Sequence, residues 1–141
     1  MKTNSRASFD ELTLGDDGRH YLHGVPFSGI AYETFDNNTL MSENEFVDGI
    51  EQGVAKIWSA NGQLLECATR WRGVFHGKCS AWTIDGSLVS ESWYEFGIKT
   101  AEIKNTNNRT AAWNLTDSTV IQRLATMRAK FPDAPPVSTG T

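Results

Sequence analysis

The sequence predicts a mainly β protein: a single antiparallel meander sheet of about three 24-residue hairpin repeats, with degenerate flanking hairpins and one C-terminal amphipathic helix packed on the sheet. Three observations predict it. Gly29, Gly53 and Gly77 are evenly spaced at the repeat length, and so are Gly49, Gly73 and Gly97. Between the two glycine columns lie Asn37-Asn38, Asn61-Gly62 and Asp85-Gly86, each followed two positions later by a leucine: Leu40, Leu64 and Leu88. After residue 116 the apolar spacing becomes helical. Self-similarity at a fixed period marks a repeat architecture, and eight of the twelve glycines fall on this lattice, so turn residues and strand lengths repeat together.

The elements follow in order. At the front, Leu12 to Leu22 carries an Asp17-Gly18 turn between two short strands. The repeats then occupy residues 29–52, 53–76 and 77–100. Each reads strand, tight turn, strand, looser glycine turn. Asn-Asn, Asn-Gly and Asp-Gly tolerate positive φ, so they are expected to form two-residue type I′ loops. Pro26, Pro132, Pro135 and Pro136 all lie outside residues 27–131, as a ladder of central strands requires. Residues 101–115 hold a further hairpin around Asn107-Asn108. A helix is expected over about 117–130, with Val120, Leu124, Met127 and Phe131 on one stripe. Thr116 or Asp117 caps its start, Arg128 and Lys130 suit its negative end, and Pro132 stops it. Residues 1–131 form one domain, and 132–141 read as a flexible tail.

Two-residue loops fix the register. They pair Trp58 with Leu65 and Lys56 with Cys67, Trp82 with Val89 and Lys78 with Trp93, Thr34 with Met41 and Tyr32 with Glu43. One face then carries Trp58, Trp71, Trp82 and Trp93 with glutamates among them. The other is small and aliphatic (Ala31, Ala55, Ala81) and is where the helix is expected to pack. The tryptophan face is either a second core surface or a binding surface, since aromatic residues are favoured interface anchors.

Composition excludes several classes. The formal charge of −4 lacks the basic footprint of a general nucleic-acid binder or of an anionic-membrane ligand. There is no apolar leader and no run of roughly 20 apolar residues, so the chain is expected in the cytoplasm. His20 and His23, three apart on an expected strand, point to opposite faces, and Cys67 and Cys79 complete no zinc-type cluster. The two cysteines are expected to face each other across the Gly73 turn as reduced thiols. Glu43 and Glu45 share a face, as do Glu33 and Asn44, but a flat sheet offers such pairs no pocket for acid–base work. No nucleophile elbow or phosphate loop occurs. The expectation is no enzyme, no metal and no cofactor.

Val25-Pro26-Phe27-Ser28-Gly29, the Asn-Gly-x-Leu turns and the aromatic-x-x-Gly closings Phe46-Val47-Asp48-Gly49 and Tyr94-Glu95-Phe96-Gly97 resemble MORN-type repeats, as in the YwqK family of bacterial antitoxins. The resemblance spans about residues 22–100. The middle closing departs, with Arg70 in place of the aromatic and Trp71 one position later, and Asn38 stands where a turn glycine is expected. The resemblance implies an immunity protein that neutralises a cognate toxin by contact, the toxin being a nuclease, a deaminase or another effector. The partner-binding residues are then Tyr32, Glu43, Glu45, Trp58, Trp71, Trp82 and Trp93. Acidic residues of the first repeat would meet a basic surface and speed association. The alternative is a structural scaffold or homodimerisation module with no toxin.

Overall fold

The computed structural model describes residues 5–137; residues 138–141 of the expected tail lie outside the described residues. The described residues are mainly β, 54% strand and 12% helix. The strands are β1 (Arg6–Ser8), β2 (Thr13–Leu14), β3 (His20–Leu22), β4 (Val25–Pro26), β5 (Gly29–Thr34), β6 (Leu40–Val47), β7 (Ile50–Trp58), β8 (Leu64–Trp71), β9 (Val74–Phe75), β10 (Gly77–Trp82), β11 (Leu88–Glu95), β12 (Ile98–Thr106) and β13 (Arg109–Asn114). A 3-10 turn, Phe9–Glu11, follows β1, and the helix α1 (Ser118–Lys130) follows β13. The large sheet runs β1-β5-β6-β7-β8-β10-β11-β12-β13, with β9 paired to β8; β2-β3-β4 form a small second sheet. β1 pairs in parallel with β5 and has no sequence signal of its own, since so short a strand carries no readable period.

The two kinds of turn are interchanged relative to expectation. At each Asn-Gly-type tip only the last turn residue has positive φ: Asn38 (68°), Gly62 (89°) and Gly86 (94°). Gly62 N–H donates to Ser59 O (2.9 Å) and Ser59 N–H to Gln63 O (2.8 Å), and the other two tips repeat this. These are three-residue loops, a type I turn followed by a left-handed residue. The side chain in the middle of each loop explains the choice: Asn37, Asn61 and Asp85 each turn a side-chain oxygen back to accept the N–H two positions on, at 3.1, 3.3 and 3.4 Å. The extra loop residue is then recovered one step later. Trp58 pairs with Leu64 rather than Leu65, Trp82 with Leu88 rather than Val89, and Thr34 with Leu40 rather than Met41, each beside a bulge. Beyond the bulge the expected pairs Lys56–Cys67, Lys78–Trp93 and Tyr32–Glu43 stand.

The closing turns are the tight ones. His23-Gly24, Asp48-Gly49, Arg72-Gly73 and Phe96-Gly97 all have positive φ at both positions, the type I′ signature. A phenylalanine at +50° is costly, and docking onto the preceding unit offsets it. Gly49, Gly73 and Gly97 N–H donate to Phe27, Glu51 and Phe75 O at 2.7, 2.8 and 2.8 Å. Asp48, Arg72 and Phe96 N–H donate to Ser28 Oγ (2.8 Å), Gln52 Oε1 (3.2 Å) and His76 Nδ1 (3.0 Å). Both series keep the step of the repeat.

The core lies at two separate places. Ala7, Phe27, Ala31 and Phe46 form a buried cluster under Phe9, Leu12 and Leu22. Ala31 is next to Tyr32 on β5, so this cluster is on the side opposite Tyr32 and the tryptophans. Leu124 of α1 is buried on the other side. Asn114 shares a row with Ala101, Trp93 and Lys78 and lines a groove with Ile121 and Leu124. Phe131 meets Trp71 edge-on at 5.7 Å between centroids. The helix therefore packs on the tryptophan face, not the aliphatic one. Its stripe needs large rings to fill against, and Trp71 and Phe96 supply them around Phe131 where alanine and serine cannot. Asp117 is the N-cap, accepting from Thr119 and Val120 N–H.

Candidate partner-binding surface

The residues singled out from the sequence fall into three groups. Trp71 (7% exposed) and Trp93 (5%) are core. Trp71 stacks among His76, Phe96 and Phe131, with centroids 5.7–5.9 Å apart. The Lys78 ammonium stands 5.9 Å from the Trp93 ring centre and pairs with Glu91 at 2.5 Å. Neither ring offers a partner an open surface.

Tyr32 and Glu43 form the second group, with Arg6 from β1. Arg6 Nη1 donates to Glu43 Oε2 at 2.5 Å, and the guanidinium carbon lies 4.8 Å over the Tyr32 ring. Arg6 had no sequence signal, because nothing local says that the N-terminal residues return beside β5. Glu45 is engaged within the sheet. Its carboxylate accepts the Val54 N–H at 2.9 Å, where the β6–β7 ladder is irregular. A side chain in place of Gly53 would meet that carboxylate at about 3 Å.

Trp58 and Trp82 are the third group. They occupy the same position in successive units, at the hairpin-tip end of the tryptophan face, and both are partly exposed. Among the described residues neither has a ring contact to α1 or to Phe131 after it, which packs on Trp71 and Phe96 at the closing-turn end. Tryptophan edges left half-open on a strand surface make adhesive contacts when another molecule covers them.

His76 is a clasp that the sequence did not reveal. It is buried at 3% exposure. Its Nδ1 accepts from Phe96 N–H, which leaves the ring proton on Nε2, and Nε2 donates to Pro135 O at 2.7 Å. Arg128 on Glu95 (2.6 Å) fastens the end of α1, and His76 and Arg72, the latter on Asp133 (3.4 Å), strap the chain after it onto the sheet. His20 packs between Phe9 (5.5 Å) and Phe46 (5.1 Å), and His23 sits in a tight turn. Cys67 pairs with Ser80, so Cys67 and Cys79 lie on opposite faces and do not face each other across the Gly73 turn as expected. Burial pushes the Cys79 thiol above its ordinary pKa. Among the described residues no group of three His, Cys, Asp or Glu could hold a metal ion.

The opposite face is open between its two ends. A depression of about 190 Å³ there is lined by Glu66, Ala68, Phe75, Cys79, Ser92 and Tyr94. Its floor is small side chains, and its charged neighbour Glu102 is held below the usual carboxylate range by the Lys99 ammonium at 2.8 Å.

No protein-family model and no curated protein matches the chain. Among solved structures it is similar to a chain of the GtfA/B complex bound to UDP and GlcNAc, at 12% identity and a TM-score of 0.35, over 81% of this chain and 31% of that one. No helix among the described residues is long and apolar enough to cross a membrane.

Proposed function

We propose that this protein is an immunity protein of the bacterial cytoplasm that neutralises a cognate toxin by contact, without chemistry of its own. The observation that carries the reading is the uncovered tip end of the tryptophan face. There Trp58 and Trp82 recur at equivalent positions of successive units on a rigid ladder and stay partly exposed, whereas Trp71 and Trp93 are buried. Rigid aromatic anchors need little ordering on binding, which favours tight inhibition. Glu43 and Tyr32 stand on the same face toward β1. They give its rim an acidic group suited to the basic surface of a nuclease or deaminase, although Arg6 already neutralises part of that charge.

The test is co-expression in a bacterial host with the products of the genes flanking its own. One product should arrest growth alone and be silenced by this protein. The double variant Trp58→Ala, Trp82→Ala should lose protection while keeping its far-UV spectrum and thermal midpoint. Absence of a toxic neighbour, or full protection by the double variant, would overturn the reading.

A further inference from the structure

We infer that β13 is the seam of a homodimer, formed by antiparallel pairing of this strand with β13 of a second copy about a two-fold axis at Ala112. Every residue of β13 is exposed, and Trp113 remains 46% exposed. Long uncovered edges are normally blunted by charge, proline or a covering segment. The other edge of the sheet shows such protection: β1 is very short and carries Arg6, which is tied to Glu43. β13 carries a single charge, Arg109, at its start, and no proline.

The backbone says which groups are free. Thr106 and Arg109 flank the two-residue turn, and Leu115 N–H donates to Thr100 O at 2.9 Å. Residues 109, 111, 113 and 115 therefore direct their hydrogen bonds to β12. Thr110, Ala112 and Asn114 turn theirs outward. No further bond is made by these residues' backbones among the described residues.

The occupant follows from the strand's own symmetry. Centred on Ala112, a second copy sets Ala112 against Ala112, Thr110 against Asn114, and Trp113 against Ala111. The smallest side chains meet at the axis, a hydroxyl meets an amide, and each indole lies over a methyl group. Arg109 falls opposite Leu115 of the second copy, so the like charges do not meet. A patch that fits itself under a two-fold rotation is what an isologous dimer requires, and cross-strand pairs of this kind stabilise a ladder. The axis is perpendicular to the sheet, so the tryptophan faces of the two copies look the same way. The β13 edge shares no residue with the Trp58 and Trp82 surface proposed to meet a toxin.

Sedimentation equilibrium of the full chain over a range of concentrations tests it. The wild type should approach twice the 15.6 kDa of one chain. Ala112→Pro removes an N–H that points away from β12 and should give a monomer with an unchanged far-UV spectrum. If that variant fails to fold, Ala112→Lys, which sets two lysines against each other at the axis, should give the monomer. The Trp58→Ala, Trp82→Ala double variant should remain dimeric. A monomeric wild type at every concentration, a dimer that survives both Ala112 variants in folded form, or a dimer lost with the tryptophans would overturn it.

Discussion

At its N-terminal end the sheet is covered on the small-residue face, by the chain's own opening segment from Ala7 to Leu22 packed on Phe27 and Phe46. At its C-terminal end it is covered on the opposite face, by α1 with its buried Leu124 and by Phe131 just after it, packed on Trp71 and Phe96. Equivalent positions of the repeat thus have opposite fates. Val47 and Trp71 stand one unit apart on the same lattice, yet Val47 is 49% exposed and Trp71 7%. Phe46 is buried at 2%, whereas Tyr94, two units on, stays half-open. The repeating unit specifies the ladder and its turns, while the caps decide which face becomes core. It also explains why an open middle remains: neither cap reaches across the sheet.

The largest effects should break the two ends separately. Phe46→Ala and Trp71→Ala should each lower the unfolding free energy by about 3–5 kcal/mol, whereas Val47→Ala should cost about 0.5 kcal/mol or less, in urea titrations. Were the repeat position alone decisive, Val47 and Trp71 would respond alike. Hydrogen exchange sharpens the contrast. Phe46→Ala should loosen amides of β1 and β3–β6 first, and Trp71→Ala those of α1, because stacked units couple mainly to their neighbours.

Much of this architecture was legible in the sequence, for a physical reason. The pairs Lys56–Cys67 and Lys78–Trp93 could be read because the three-residue loop adds one residue and the adjacent bulge takes it back. The turn types could not. Phe96 and Arg72 hold left-handed backbone only because bonds from the previous unit reach them, and those bonds are not local. The side covered by α1 was equally hidden. Its stripe of Val120, Leu124, Met127 and Phe131 fits any apolar surface, and the rings that decide it, Trp71 and Phe96, lie far back in the chain. Of the binding candidates, Trp58 and Trp82 keep an open side, whereas Trp71 and Trp93 are buried.

The middle of the range tests how the C-terminal cap is fastened. His76→Ala removes the acceptor of Phe96 N–H and the donor to Pro135 O, and should cost about 1–3 kcal/mol in unfolding free energy. His76→Gln should recover at least half of that loss. Gln52 already accepts the Arg72 N–H at the equivalent position, at 3.2 Å, so an amide can serve that turn. If glutamine and alanine are equally harmful, the link to Pro135 outweighs the turn, and the cap is held by its strap rather than by the lattice.

The smallest effect isolates the lattice from both caps. Gly62 has φ +89° in the central unit, with nothing within 4 Å of the place a Cβ would occupy. Any cost of substitution there is conformational rather than steric. Gly62→Ala should lower stability by about 1 kcal/mol, since an alanine resists left-handed backbone. Gly62→Asn should lower it by only a few tenths of a kcal/mol, because asparagine tolerates that region, and Asn38 holds the same turn position at +68°. Thermal midpoints at one buffer condition separate the two. An asparagine variant as unstable as the alanine one would mean that the first hairpin tolerates Asn38 only because the N-terminal cap holds it. The hairpins would then not be interchangeable units, and the division between lattice and caps would fail at its simplest point.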